Sequence, residues 1–435
     1  MSLEPSTAPV ARSLLPDTAV IAADGRLSVG GCDLMALAER FGTPLFVYDE
    51  AHLEARCSEA AAAFDDGVAY ASKAFLCRAM ARLVARAGLC IDVASDGELH
   101  CALSAGVPAS RLVLHGNNKS DHELEVALDA GVGRIVIDGH DDLERLAKHT
   151  SGRLAPQPVL IRVTPGIEAH THEFVRTGQE DTKFGVSIAS GDATRLIERV
   201  AGTDGLALVG LHAHIGSQVF DVGSLAQAAQ ILGAFFADLE LEELCVGGGL
   251  GVAYVEGETA PTITEWGRAV RTACRVAGVA EHTRITAEPG RSIVAAAGVT
   301  LYTVGVIKQV PSGRSYLAVD GGMSDNPRPV LYGSGYEAFL PRSTGAVRTR
   351  AARVVGKHCE SGDVLVDDAR LPADVKVGDV LCTPVTGAYG YSMASTYNRV
   401  GRPAVVFVKN GEARTVLRRE SVDDLESLEC DDGAS

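Results

Sequence analysis

Four apolar segments recur at an even interval, and that interval constrains the fold more than any other feature of the chain. "VAYAS" begins at Val68, "CIDVAS" at Cys90, "LVLHG" at Leu112 and "RIVID" at Arg134, a spacing of 22 residues three times running. The pieces between them, such as "RAMARLVARAG" and "DGELHCALSAG", carry apolar residues at helical spacing and end in Gly, as amphipathic helices with a glycine stop do. The series continues at "VLIRVT" (Val159), "LVGLHAHIG" (Leu208), "LCVGGG" (Leu244) and "TRITAEPG" (Thr283). Eight strand–helix units are the number that closes a parallel (β/α)8 barrel of about 250 residues. A doubly wound open sheet is the competing arrangement.

After about Val294 the texture changes. "TLYTVGVIKQV", "SYLAVDGG", "RTRAARVVGKHC", "GDVLVDD", "GDVLCTPVTG" and "RPAVVFVKNGEARTVL" are short β-type runs separated by Gly, Asp and Pro turns. The early "GRLSVGGCDL" reads as a hairpin able to join them. The expected organisation is therefore α/β: a TIM-like (β/α)8 barrel over residues 45–295, and a β-rich second domain built from both termini, 1–44 and 296–435.

Bulk properties exclude several classes of function. With 435 residues, 46% of them hydrophobic, the chain can bury a large core and a smaller one. A formal net charge of −16 argues against nucleic acid or an anionic membrane surface as partner, because both demand clustered basic residues. No stretch approaches the ~20 apolar residues of a membrane span. The opening "MSLEPSTAPVARSLLPDTAV" has no basic start followed by an apolar run, so a secretory signal is not expected. Ten cysteines are scattered without any C-x-x-C pair. No metal site is expected, and most of the thiols read as small buried hydrophobes in a reducing cytoplasm.

Barrel chemistry sits at the C-terminal ends of the strands. Those positions hold Lys73, Asp92, His115 with Asn117, Arg162, His214 with Ser217, the triplet Gly247-Gly248-Gly249, and the run Glu288-Pro289-Gly290-Arg291. One polar residue at a strand mouth is ordinary loop solvation. Ionisable or glycine residues at almost every mouth point to a site. The triplet and "EPGR" follow strands seven and eight, where barrels commonly hold a phosphate on side-chain-free backbone. The dinucleotide spacing G-x-G-x-x-G is not met, since Val252 stands where the last glycine would be. "GGGLG" alone is compatible with a tight turn or a phosphate cradle. Lys73 either snorkels to water or offers an amine that attacks a carbonyl near an anionic cofactor. Pyridoxal phosphate needs such a lysine, a phosphate cradle and a partner for its pyridine nitrogen. Glu288 suits the last role, and His214 the face of the ring.

At these residues the chain resembles the pyridoxal-phosphate-dependent decarboxylases with an alanine-racemase-like barrel, and among them the diaminopimelate decarboxylases. The matching stretches are "YASKAFL", "LHGNNKS", "GIEAHTHEF", "DTKFGVS", "HAHIGSQVFD", "GGGLGVAY", "EPGRSIV", "VDGGMSDNPRPVLYG", "HCESGD" and "GAYGYSMASTYNRVGRP", from about Gly42 to Pro403. "HCESGD" together with "SDNPRPVLYG" separates this group from ornithine and arginine decarboxylases. The resemblance implies that Lys73 holds pyridoxal phosphate through its amine and that His214 stacks on the ring. It implies that Ser217, Gly248, Gly249, Gly290, Arg291 and the Tyr389 hydroxyl take the phosphate, with Glu288 facing the pyridine nitrogen. Arg291, Arg328, Tyr332, Glu360 and Tyr389 would surround the substrate, and Cys359 would return a proton after CO2 leaves. It further implies a cytoplasmic homodimer with shared active sites. Cys245, Asp96 and Gly390 depart from residues common in relatives, and none of them replaces a group with an implied chemical role.

The implied reaction is decarboxylation of meso-2,6-diaminopimelate to L-lysine and CO2. Its substrate has an amino-acid head at each end, so the remote head offers both a carboxylate and an ammonium. Arg328 or Arg291 can fork onto the carboxylate, and Glu360 can accept from the ammonium. The alternatives are a related decarboxylase acting on another or a carrier-bound amino acid, and a non-enzymatic homologue, for which Lys73, Glu288 and Cys359 would have no use.

Overall fold

The computed structural model describes residues 8–166, 182–311 and 314–430. The "GIEAHTHEF" stretch lies outside them apart from Gly166. The chain divides into two compact units: Glu54–Val252 with Thr259–Ser292, and Met1–Leu53 with Ala253–Glu258 and Ile293–Ser435.

The first unit is the (β/α)8 barrel. Its strands are β1 (Ala69–Ala71), β2 (Cys90–Val93), β3 (Leu112–Leu114), β4 (Arg134–Ile137), β5 (Gln157–Thr164), β6 (Leu206–His212), β7 (Glu243–Cys245) and β8 (Arg284–Thr286). They pair in parallel in chain order. A parallel bridge between Val68 and Ala287 joins the last strand to the first, and the Ala69 amide donates to the Ala287 carbonyl at 3.0 Å. Inside, Ala69, Cys90, Val113, Val136, Leu160 and Cys245 form one buried cluster. At the strands' N-terminal end the buried Glu243 carboxylate accepts from Arg134, Arg284 and Thr286. A charge there is stabilised by two cations, and the chemistry is left to the opposite end.

Helices start where the sequence supplies caps. Ser120 with Glu123 and Thr262 with Glu265 each form a reciprocal capping box, opening the helices Asp121–Ala130 and Ile263–Val276. Ile263–Val276 buries Trp266 against Phe64, with ring centroids 4.9 Å apart. No helix among the described residues is long and apolar enough to cross a membrane.

The second unit is β-rich. Its main sheet runs Val364–Leu371, Arg350–Val355, Ser315–Val319, Gly298–Gln309, Leu45–Asp49, Ala404–Lys409, Glu412–Leu417, with Val380–Thr383 also paired to Gly298–Gln309. Leu45–Asp49 corrects the boundary drawn from sequence. It was expected within the barrel segment, yet all five of its residues are buried in this mixed sheet, between Gly298–Gln309 and Ala404–Lys409. A short continuous apolar run reads alike in either sheet. The "GRLSVGGCDL" hairpin forms as expected, Leu27–Val29 against Cys32–Asp33, in a separate three-stranded sheet with Val20–Ile21.

Candidate active site

Elementary electrostatics dominates the barrel mouth. Glu288 lies just beyond β8, and its Oε2 accepts from His212 Nε2 at 2.9 Å. Oε1 accepts from the Cys245 thiol at 3.2 Å and lies 3.3 Å from His115 Nε2. That same His115 nitrogen is 3.4 Å from Asp92 Oδ1, so the imidazole stands between two carboxylates. His115 and His212 meet edge to face at 5.1 Å.

Burial alone would raise the Glu288 carboxyl, but His212 and His115 outweigh it and hold the group well below the usual carboxylate range. Burial also disfavours a charged His115, yet Glu288 and Asp92 overcome it and raise the imidazole from 6.5 to about 9. Asp92 bears the cost of this arrangement. Burial, with the nearby Glu288 charge, lifts it from 3.8 to about 7. Burial takes His212 down to about 4, so it is a neutral donor at pH 7. The cluster therefore contains one firmly charged carboxylate and one imidazolium. The donor atoms of His115, His212 and Glu288 lie within 4.8 Å of one another, close enough to hold a metal ion. His212 Nε2 hydrogen-bonds the Glu288 carboxylate, and His115 Nε2 stands beside it as an ion-pair partner.

Around this carboxylate the barrel assembles the remaining expected groups. Lys73 is exposed on the one-turn helix Ser72–Ala74 directly after β1, and its charge acts on both Asp92 and His214. Burial and then the Lys73 charge hold His214 well below its ordinary value, so its ring is neutral. His214 Nδ1 accepts from the Gly248 amide at 3.1 Å, which fixes the ring against the glycine loop. Arg291, 8% exposed, donates to Ser217 Oγ at 2.8 Å.

The glycine loop packs directly against neighbouring backbone, which leaves no room for side chains of its own. A Cβ on Gly248 would stand 2.3 Å from the Glu288 carbonyl oxygen, and one on Gly249 2.5 Å from that of Gly216. Gly249 also has φ +112°, a region closed to other residues. On Gly290 the contact would be 3.0 Å, to Ala71. Bare backbone beside Ser217 and a buried arginine fits a phosphate. A charged carboxylate and a lysine amine at the same mouth fit the nitrogen and the aldehyde of pyridoxal.

The second unit carries the other expected residues. Arg328 is buried, Tyr332 and Tyr389 are half-buried, and Cys359 and Glu360 are exposed. Tyr389 has φ +61°, a strained conformation for a bulky side chain. The "HCESGD" loop is held by Asp363, whose carboxylate accepts from the amides of Met323 (2.6 Å) and His358 (2.9 Å). The His358 ring bridges Ser324 Oγ at 2.8 Å and Asn398 Oδ1 at 2.9 Å. Glu360 accepts from the Tyr397 hydroxyl.

Comparison with known proteins decides the family. The model for "Pyridoxal-dependent decarboxylase, pyridoxal binding domain" matches residues 50–295. Diaminopimelate decarboxylase of Mycobacterium tuberculosis is 47% identical over 93% of this chain and 95% of its own length. The chain belongs to the diaminopimelate decarboxylase family. The Bacillus subtilis member is 45% identical over 93% of this chain and 95% of its own. Among solved structures, the family member from M. jannaschii superposes with a TM-score of 0.88 at 32% identity, covering 95% of this chain and 98% of that one. The Helicobacter pylori enzyme complexed with L-lysine gives 0.84 at 30% identity, covering 91% and 98%.

Three residues of this family member escaped the reading of strand mouths. His212 and Cys245 are the last residues of β6 and β7 and lie side by side in register. They sit inside apolar runs, where a histidine or thiol looks like filling. Lys119 is only 2% exposed and donates to the Gly116 carbonyl (2.7 Å), the Val136 carbonyl (2.8 Å) and Asp142 (2.6 Å). All three of its protons are used to pin the loop that begins at His115.

A pH prediction follows from the raised His115. A folded pKa above the unfolded one stabilises the fold fully below about pH 6.5, and this contribution is lost as the pH rises through about 9. At ~1.4 kcal/mol per pKa unit the full loss is about 3.5 kcal/mol, of which about 2–3 kcal/mol falls between pH 6.5 and pH 9. His115→Gln keeps a donor but not the charge. Denaturant unfolding at pH 6.5 and pH 9 should show the wild type losing about that much more than the variant. Equal losses would mean that His115 is not protonated in the fold.

Proposed function

We propose that this chain decarboxylates meso-2,6-diaminopimelate to L-lysine and CO2, as a pyridoxal-phosphate enzyme of the cytoplasm. The observation that carries this reading is the 47% identity, over nearly the full length of both chains, to an enzyme named for that substrate. The presence of Lys73, Glu288 and Cys359 supports it, because a protein that only binds a partner has no need of all three.

Lys73 would hold the cofactor through its amine, and His214 would lie against the ring. Ser217, Gly248, Gly249, Gly290, Arg291 and Tyr389 would receive the phosphate. Bound pyridoxal phosphate supplies an electron sink for the pair left at Cα when CO2 departs. Glu288, held charged by its imidazole neighbours, is suited to keep the pyridine nitrogen protonated. The Cys359 thiol, on an exposed loop, would deliver the proton that replaces CO2. Arg328 would take the carboxylate of the remote head and Glu360 its ammonium, with Arg291, Tyr332 and Tyr389 completing the substrate's surroundings. Two kinds of partner for the remote head favour the diacid over substrates ending in a simple amine.

Borohydride reduction of the pyridoxal-phosphate-loaded protein, followed by peptide mapping, should place the pyridoxyl group on Lys73 alone. Label on another lysine would remove the cofactor assignment. The reading also includes a homodimer in which the Cys359 loop of one protomer serves the barrel of its partner. Lys73→Ala and Cys359→Ala proteins, each nearly inactive, should then recover partial activity when unfolded together and refolded as mixed dimers. Verified mixed dimers with no activity would mean that both residues serve the same chain.

A further inference from the structure

Two arginines of the β-rich unit show how a held guanidinium cation is ordinarily neutralised. Arg348, 1% exposed, reaches the carboxylates of both Glu256 and Glu337. Arg342 pairs with Asp374 and Asp379, each at 2.9 Å. Arg328 differs from both. It is 4% exposed, and no carboxylate of the described residues lies within 4.0 Å of its guanidinium.

What surrounds Arg328 instead is aromatic. Its Nη1 donates to the Tyr336 hydroxyl at 2.6 Å, and the guanidinium carbon sits 4.2 Å from the centroid of the Tyr254 ring. The two rings brace each other edge to face, 5.3 Å apart at 76°. Arg348 assembles this cage, because its partners Glu256 and Glu337 stand two residues after Tyr254 and one after Tyr336. A buried guanidinium without a counter-ion is costly. A ring face and one phenol oxygen attract the cation without cancelling its charge, and they leave most of its five N–H donors for an anion.

We propose that Tyr254 and Tyr336 are positioning residues that hold Arg328 un-neutralised and oriented, so that the cage as a whole selects a substrate whose remote head bears a carboxylate. This rests on the assignment of Arg328 to that carboxylate under the proposed function. A carboxylate in place of either tyrosine would occupy the fork itself. The phenol and ring fix the fork and keep it available.

The test uses two ligands of equal chain length. L-lysine retains the amino-acid head that the reaction does not touch, whereas pentane-1,5-diamine has no carboxylate. Their dissociation constants are measured by calorimetry on pyridoxal-phosphate-loaded wild type, Tyr336→Phe, Tyr254→Phe, Tyr254→Leu, Arg328→Met and the Arg328→Met/Tyr336→Phe double variant. Tyr336→Phe should weaken L-lysine about tenfold, as loss of a hydrogen bond to a charged group does. Tyr254→Leu should weaken it several-fold, and Tyr254→Phe, which keeps the ring face, should restore wild-type binding. Pentane-1,5-diamine should bind every variant within about twofold of wild type. In the Arg328→Met background, Tyr336→Phe should add nothing.

Two results overturn the proposal with the underlying assignment intact. One is an undiminished cost of Tyr336→Phe in the Arg328→Met background, and the other is equal weakening of both ligands. If Arg328→Met itself binds L-lysine as tightly as wild type, the assignment of Arg328 fails and the proposal falls with it. Tyr336→Phe and Tyr254→Phe are near-isosteric, so the test stands even if Tyr254→Leu does not fold.

Discussion

A buried carboxylate is neutral unless its charge is stabilised by something nearby, and at Glu288 the stabilising groups come from three other strands. His212 closes β6, Cys245 closes β7 and His115 follows β3; the first two hydrogen-bond the Glu288 oxygens and the third pairs with them as a cation. Only a closed parallel barrel delivers strand ends from such distant parts of the chain to one point. Register does the fine placement: His212 stands beside Cys245, and Cys245 beside Thr286. Asp92, lifted to about 7, shows that the site favours one ionised carboxylate over two.

The two units handle charge in opposite ways. In the barrel an anion is kept charged by neutral and cationic neighbours. In the β-rich unit a cation, Arg328, is held by aromatic rings and a phenol. The difference is that Glu288 faces a charged His115, whereas Arg328 has no carboxylate partner among the described residues. The contrast with Arg348 and Glu243 is direct, since those charges are buried just as deeply but fully paired. A folding requirement accounts for the paired groups. Arg328 is the exception among these, and its proposed role toward a carboxylate accounts for it.

Much of this was legible in the sequence. Eight apolar runs gave eight barrel strands, because a parallel strand covered on both faces is apolar along its length, and the residue after each run is the strand mouth. Lys73, His115, His214 and Glu288 could be found by that rule alone. His212 and Cys245 could not, because they lie one step inside the runs and their role depends on lateral register. Leu45–Asp49 was misplaced because five buried residues look the same in a barrel and in a mixed sheet. The pairing of Tyr254 with Tyr336 depends on a segment, Ala253–Glu258, that leaves the barrel sequence to join the other unit. No local pattern announces that excursion.

All the proposed roles serve one reaction on one diacid. The most direct measurement supplies the purified, pyridoxal-phosphate-loaded protein with meso-2,6-diaminopimelate carrying label in its carboxyl groups, and follows labelled CO2 and L-lysine together. The account predicts the two products in equal amounts, with formation dependent on the cofactor and little CO2 released from lysine or ornithine offered instead. Faster release of CO2 from either of those, or none from diaminopimelate, would contradict it.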